Sequence, residues 1–592
     1  MFMIKYKLIF KYVELNDDII YNKTEEKNFM KKNLTIFTLF ILLFALLFFA
    51  IGIQNQADTL DSLSPADSDL NSDSSITSLS ETDSPEVLIR IVPPDEGFSA
   101  PEKGSAININ YISDNDKTGK IEGKTEQQIK FGETVTAEVK AVPELGWKFL
   151  NWSDGSTNPV RVGDSYKTDA TLTAYFVHDK LNMPVLSIST GGRNIGDSYE
   201  RVELSMSYIN PDLTRNYQAQ MHVRGANSRS YQKLSYKIRL DDRYYPIDIT
   251  KRIRGNRHYV LIAVWNDYSL MRTPMGLDLM SQFEGIPYSP NYTYVEVYFD
   301  DVYWGVYLLA EQIRVDENRV NIDDSNTGDT NSFLVSSAPG RDLQLTYSPD
   351  YTGGYYGVSS DSTFGNMRVK SEVHNQEQLV FIKATLKTAW NSIPDKKSAE
   401  QYFDIASLVD VYIAAEIMKG LDIAWNNHFW MHYDESTGKV YFTTLWDLKF
   451  GGGNHSGHNG FWAKYEGLGM IAAQGQWGQY NRWFIELMKQ TWFRELVQKR
   501  FAEIDNILNS IVPSIWANYD LHRVSFERNF VRWPKGNIGT DSNFTPKQVV
   551  ALKNHEENAS YLVNWMENRI SWLRKYIGSS DFIKHAGTDN PG

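Results

Sequence analysis

The chain has 592 residues, a formal net charge of −13, 13 % aromatic residues with sixteen Trp among them, and no cysteine. That length calls for two or three domains, and the missing cysteine excludes disulfides, thiolate zinc sites, cysteine nucleophiles and a lipid-anchored cysteine. Eight carboxylates between Ala57 and Glu86, with no Lys or Arg among them, leave about −5 for the remainder, so there is no electrostatic footprint for nucleic acid and no such partner is expected.

Residues 1–29 are mixed in character, and translation is expected to start at Met30. Lys31 and Lys32 precede an apolar run from Leu34 to Ile53, the n-region and h-region of an export signal, and Ala50-Ile51-Gly52 offers small residues for cleavage. The run, about 20 residues long, also suffices to span a bilayer. A cleaved signal and an uncleaved N-terminal hydrophobic helix in the membrane both stay open; either exports the downstream chain, to the cell surface or the medium, and keeps the two lysines inside. This extension ends near residue 56. Residues 57–85, rich in Ser and Asp, carry too little apolar surface to offset the cost of ordering them, and a solvated linker is expected.

From 86 to about 178 the pattern is of short alternating strands: Val87 to Ile91, Ala106 to Tyr111, Thr134 to Val142 and Thr171 to Phe176. The stretch from Gly119-Lys120-Ile121-Glu122-Gly123 through Trp152-Ser153-Asp154-Gly155 to Thr173-Ala174-Tyr175-Phe176 resembles the internalin-type B-repeat modules of bacterial surface proteins. The resemblance implies a small all-β spacer or adhesive module. Gly123-Lys124-Thr125 is no P-loop, because the preceding glycine, Gly119, is one residue too close.

An α+β region is expected from 182 to 580. Strands open at Pro184 to Ile188, continue between Met221 and Leu240, and flank Asp300-Asp301 within Asn291 to Gln312. Helical periodicity begins near Gln376; Asp404 suits an N-cap and Gly420 a C′ glycine for the helix between them. The last third is mainly helical, over Arg482 to Met488, Phe493 to Ile511 and Asn554 to Ile577.

Within this region Gly420 to Gly453 has the clearest chemical use. Asp422 is followed five residues later by Asn427, and His428 to Tyr433 and Val440 to Leu445 read as two strands around the turn Asp434 to Gly438. A hairpin brings its ends together, so Asp447 is expected beside Asn427. Divalent cations such as magnesium take oxygen ligands, and a nucleophilic hydroxyl needs a carboxylate within hydrogen-bond reach. Protein kinases order an Asp, an Asn, a hairpin and a second Asp in this way, although here no His-Arg precedes Asp422 and no Phe-Gly follows Asp447. The plain alternative makes Asp422 a cap and Asp447 a strand end. His455 and His458, with His428 or His432, form an alternative metal set. Serine hydrolase and zincin readings lack their Gly-x-Ser-x-Gly and His-Glu-x-x-His starting points.

Six pieces in order then resemble the CotH-type spore-coat kinases, secreted or coat-associated atypical protein kinases. They are Arg224-Gly225-Ala226-Asn227-Ser228; Lys233 and Lys237 in QKLSYKIRL; LIAVWNDYSLMRTPMG with Asp267 and Arg272; YVEVYFDDVYWGVYLLAEQI with Trp304, Gly305, Tyr307 and Glu311; LDIAWNNHFW; and LWDLKFGGG. Ala226 and Lys449 depart from the family pattern. The resemblance implies an atypical protein-kinase-like domain with a helical C-terminal third. It would transfer the ATP γ-phosphate to Ser or Thr of a partner protein, with Mg2+ or Mn2+. It makes Asp422 the catalytic residue and Asn427 and Asp447 metal-site residues. Arg224 and Ser228, in a turn before a strand, suit a phosphate. Lys233 or Lys237 would pair with the nucleotide phosphates while Glu311 orients it; strand alternation puts both lysines on one face, so spacing does not choose between them. A structural salt bridge for Arg224, solvent-facing lysines, and a non-catalytic surface-binding or coat-assembly protein on the same scaffold remain the alternatives.

Overall fold

The computed structural model describes residues 105–585 apart from 209–212, 226, 245–254, 326–331, 338–342, 352–354, 360–362, 425–427, 458–459, 473–480 and 535–544. The expected export segment, the acidic linker and the strand at 87–91 lie outside the described residues. Among the described residues no helix is long and apolar enough to cross a membrane.

Period-two alternation builds the N-terminal β module. In β1 (Ala106–Ser113) the side chains of Ile107, Ile109 and Tyr111 are buried and those between them exposed, which is what a strand with one wet face requires. β1 lies between β3 (Glu126–Lys130) and β7 (Ala170–His178), and β5 (Trp147–Trp152) extends the sheet beyond β7; β2 (Gly119–Gly123), β4 (Val139–Pro143) and β6 (Val160–Arg161) form a second sheet. The two enclose Ile109, Tyr111, Val139, Trp152 and Phe176. The strand expected from Thr134 begins only at Val139, because Thr134 makes an isolated bridge to Ser165 and Val135 N–H donates to Asp164 O instead of entering a ladder. The module keeps this core to itself and touches the following region through Leu145 to Trp147, which pack on Val185, Tyr298 and Tyr303. Tyr298 OH donates to Gly146 O at 2.7 Å. A Cβ on Gly146 (φ +88°) would lie 2.4 Å from that hydroxyl, so only glycine fits.

β8 (Val185–Ser189), β9 (Glu200–Tyr208), β10 (Leu213–Arg224), β11 (Ser235–Tyr244), β12 (Asn256–Ile262), β13 (Tyr292–Phe299) and β14 (Val302–Glu311) close into a barrel in the order β10-β11-β12-β14-β13-β8-β9. Ile238, Tyr259, Val295, Val297, Tyr307 and Leu309 fill it. A third sheet follows, of β15 (Phe333–Ser337), β16 (Leu343–Gln344), β17 (Tyr355–Val358), β18 (Met367–Val369), β19 (Phe429–Asp434) and β20 (Lys439–Leu445), in the order β16-β17-β18-β15-β19-β20. The outer barrel wall, this sheet and the C-terminal helices share one large core. The fold is therefore mixed α and β with a helical C-terminal region behind an all-β module.

The helix Ile405–Met418 runs through that core, buried from Ser407 onward and largely apolar around its circumference, with its two acids Asp410 and Glu416 each paired to an arginine. Asp404 caps it as expected, its carboxylate accepting from Ser407 N–H at 2.8 Å. The residue that ends it departs from expectation: Lys419 (φ 46°, ψ 48°), directly after Met418, and not Gly420, adopts the left-handed conformation. The cause is tertiary. Lys419 Nζ donates to the carbonyls of Phe461, Lys464 and Glu466, and that triple anchor holds a backbone conformation a lysine avoids when unconstrained. Glu416, one turn earlier, accepts from Gly469 and Met470 N–H and pairs with the buried Arg569 at 3.0 Å.

Burial lowers the pKa of His432 and of His555 from 6.5 to about 4, and does the same to His178 and His258. The unfolded chain therefore binds more protons than the fold between those values, so the stability present above pH 6.5 is lost as pH falls toward 4. Glu296, raised by burial to about 7 despite Arg528, acts in the opposite sense, but Lys370 and Lys419, which burial lowers from 10.5 to about 6, outnumber it and add to the loss above pH 6. Melting curves from pH 7.5 to 5 are expected to show a steadily falling Tm; a level or rising Tm would contradict the assignment.

Candidate active site

The hairpin forms as the sequence predicts. Phe429 pairs with Leu445 and Tyr433 with Val440, and Asp434 closes the turn by accepting from Ser436 N–H at 2.9 Å, with Gly438 at φ +68°. Trp446 N–H donates to His428 O at 2.7 Å, so Asp447 leaves β20 beside the residues that enter β19. Asn427 is outside the described residues, but His428 next to it comes within 3.8 Å of Asp447 Oδ2. Asp422 arrives on the short helix Leu421–Ala424, directly after the Lys419 anchor. One carboxylate oxygen each from Asp422 and Asp447 and a ring nitrogen of His428 lie within 4.8 Å of one another. Those donors fit a divalent cation.

Asp447 itself is left-handed (φ 62°, ψ 54°), a conformation that costs an L-residue of order 1–3 kcal/mol and persists only where neighbours fix it. The three glycines that follow do the fixing. Gly452 N–H donates to Met418 O at 2.9 Å and Gly452 O accepts from Arg272, whose guanidinium is buried against Asp267 at 2.6 Å. A Cβ on Gly453 (φ +72°) would meet the Trp565 ring at 2.4 Å.

Lys449 Nζ donates to Asp447 Oδ1 and lies 3.8 Å from Asp422 Oδ2. Burial alone would raise the Asp447 pKa, but Lys449, His428 and Arg224 outweigh it and hold the carboxyl well below its usual range. Burial would likewise lower Lys449, and the two aspartates overcome it. At neutral pH the pair is a carboxylate and an ammonium.

Near this acidic pair is a group of basic residues. Arg224, at the end of β10, feels Asp447 and lies over the Trp446 ring at 5.8 Å. Lys370, just after β18, sits over the rings of Tyr355 at 3.8 Å and Trp430 at 5.3 Å. Burial lowers its pKa to about 6, and Arg368, Lys237 and Arg224 add repulsion. Arg368 lies over Tyr355 at 4.6 Å, its Nε buried without a hydrogen-bond partner among the described residues. No carboxylate of a described residue forms an ion pair with Lys237, Arg368 or Lys370. Three cations beside two carboxylates, with a lysine that is largely neutral at pH 7 and that a bound anion would protonate, make the charge pattern that a polyphosphate with a divalent cation complements.

The expected pairing of Lys233 or Lys237 with Glu311 does not occur. Glu311 pairs with Arg319 at 3.0 Å and accepts from Tyr288 OH at 2.9 Å and Asn291 N–H at 3.1 Å. Barrel register explains why: Lys237 is opposite Val260 and through it Ala310, whereas Glu311 is opposite Tyr259, so the lysine and the glutamate occupy opposite faces of the wall. Lys233 precedes β11 and is fully buried elsewhere, donating to Val306 O and Asn529 Oδ1 above the Tyr307 ring. Ser228 follows the Arg-Gly turn, its Oγ so close to Gly225 that a Cβ there would lie 1.9 Å from it. Of the alternative histidine set only His428 joins the acids: His432 bonds Thr443 inside the sheet, His455 accepts from Gly457 N–H, and His458 is outside the described residues. His428 is read from the sequence only within the histidine set and Lys449 only as a departure from the family pattern, and the sequence reading missed Arg368 and Lys370. The last two reach the site through the pairing of β18 with β15, 30 residues away, for which no local spacing is a signal.

A family model described as CotH kinase protein matches residues 221–573, and one described as divergent InlB B-repeat domain matches residues 111–180. No curated protein matches the chain.

Proposed function

The chain belongs to the CotH kinase protein family, and from that premise we propose that it transfers the γ-phosphate of ATP to a Ser or Thr hydroxyl of a partner protein outside the cytoplasm, with Mg2+ or Mn2+. The observation that carries this reading is the convergence of Asp422, Asp447 and His428 next to the basic residues Arg224, Lys237, Arg368 and Lys370. Asp447 and His428 would hold the divalent cation, with Asn427 as a further oxygen donor; when bound, the ion neutralises charge on the β- and γ-phosphates. Arg224, Lys237 and Lys370 bind the phosphate chain and keep it against the acidic pair. Asp422, 15 % exposed, takes the acceptor's proton in this reading. The acceptor oxygen forms its bond to the γ-phosphorus, the bond to the bridging oxygen breaks, and that oxygen leaves on ADP with the electron pair while the proton passes to Asp422.

The export-type segment and the B-repeat module support a surface setting and an acceptor among coat or surface proteins. A non-catalytic role, as a surface-binding or coat-assembly protein on this scaffold, has one observation in its favour: the Lys449 ammonium lies between the two carboxylates.

Purified chain incubated with γ-labelled ATP, Mg2+ or Mn2+ and candidate acceptors is expected to incorporate label; none with any acceptor, itself included, favours the scaffold. Lys237→Ala and Lys370→Ala are each expected to weaken binding of an ATP analogue about tenfold or more, the value of a charge-assisted contact, with Tm nearly unchanged. Lys233→Ala should instead lower Tm and leave affinity in place. The reverse pattern would return the phosphate contact to Lys233.

A further inference from the structure

Lys449 lies where a cation is wanted. Its ammonium bonds Asp447 Oδ1 and approaches Asp422 Oδ2 at 3.8 Å, while the other Asp447 oxygen, Oδ2, faces His428 Nε2 at 3.8 Å. The two oxygens of Asp447 are thus divided between a tethered ammonium on one side and an imidazole on the other. The division is built into the backbone. Asp447 turns through its left-handed conformation into the one-turn helix Leu448–Phe450, Gly451 N–H donates to Leu448 O at 3.0 Å, and Lys449 O accepts from Asn454 Nδ2 at 2.9 Å. The ammonium also lies over the Phe450 ring at 4.6 Å, and the side chain is only 20 % exposed. A long surface lysine that merely swung across the acids would have none of these restraints.

Phosphoryl-transfer sites of the protein-kinase kind place two divalent ions between such acids and the nucleotide phosphates. Here one of the two positions adjoining Asp447 already carries a positive charge that the chain supplies. Resting on the nucleotide-dependent reading above, we infer that the Lys449 ammonium is a fixed substitute for one divalent cation, so that the site takes a single metal ion per bound nucleotide, on the side of Asp447 that faces His428. The ammonium then screens Asp422 from Asp447 and leaves one open coordination face. It also accounts for a lysine between two acids without making the site inert.

The test is a count of bound metal. The full chain, saturated with a non-hydrolysable ATP analogue whose binding is measured separately by fluorescence, is titrated with Mn2+, and unbound Mn2+ is read by electron paramagnetic resonance. One Mn2+ per chain is expected for the wild type. Two are expected for Lys449→Asp and for Lys449→Met, the second variant keeping an apolar stem over Phe450 should the first fail to fold. Two ions in the wild type, or no added ion in a folded variant, would overturn the inference. Failure of the wild type to bind the nucleotide would instead remove the functional reading, and this inference with it.

Discussion

Asp447→Asn is expected to abolish Mn2+ binding and metal-dependent phosphate transfer while the protein stays folded and still binds the nucleotide. The substitution keeps the size of the side chain and removes its charge. Lys449, His428 and Arg224, which now hold Asp447 ionised, would then face an amide, and the site would become more positive. A triphosphate should therefore bind Asp447→Asn without metal at least as well as it binds the wild type, since attraction to cations remains and the repelling carboxylate is gone. Asp422→Asn separates the two roles. It should keep metal and nucleotide and lower turnover by roughly a hundredfold or more, the usual contribution of a positioned base. Calorimetry with the ATP analogue, Mn2+ titration and label transfer on the same preparations distinguish these outcomes. Equal transfer by the wild type and both variants would place any reaction elsewhere in the molecule.

Arg272→Met is expected to cost about 3–5 kcal/mol of stability, the penalty for leaving a buried charge without its partner. Asp267 and Arg272 are almost wholly buried, and Asp267 also accepts from the N–H groups of Ser269 and Arg272 and from Ser269 OH. With the guanidinium gone, the carboxylate keeps those bonds but not its counter-charge, and Gly452 O loses both of its Arg272 donors. Because Gly452 supports the turn at Asp447, turnover should fall further than the loss of folded protein explains. Asp267→Asn combined with Arg272→Met should recover part of the stability, since no orphaned charge remains, but not the turnover. Urea unfolding of the single and double variants measures both terms. A cost below about 1 kcal/mol for Arg272→Met would show that this pair does not hold the segment after β12 to the glycine turn.

Much of the site's frame was legible because it is local. Alternation located β1, strand-forming runs located β8 and the pair around Asp300-Asp301, the polar turn at Asp434 to Gly438 gave the hairpin, and the hairpin alone required Asp447 to return to the entry of β19. Asp404 was readable as a cap because capping depends on a side chain and the N–H groups of the next turn. Everything that depended on which distant segments share a face was decided by tertiary structure. Lys233 and Lys237 look equivalent by spacing, but β11 starts at Ser235, so alternation governs only Lys237 while Lys233 is taken up by Val306 and Asn529. Glu311 took Arg319 instead of a strand lysine because barrel closure turns it to the opposite face. Lys419 took the left-handed position from Gly420 because three carbonyls some 40 residues away hold its ammonium. Arg368 and Lys370 joined the basic group by the pairing of β18 with β15. Periodicity records how a segment meets its own neighbours; sheet register and buried charge pairing, which the whole chain settles together, determine which of its side chains reach the site.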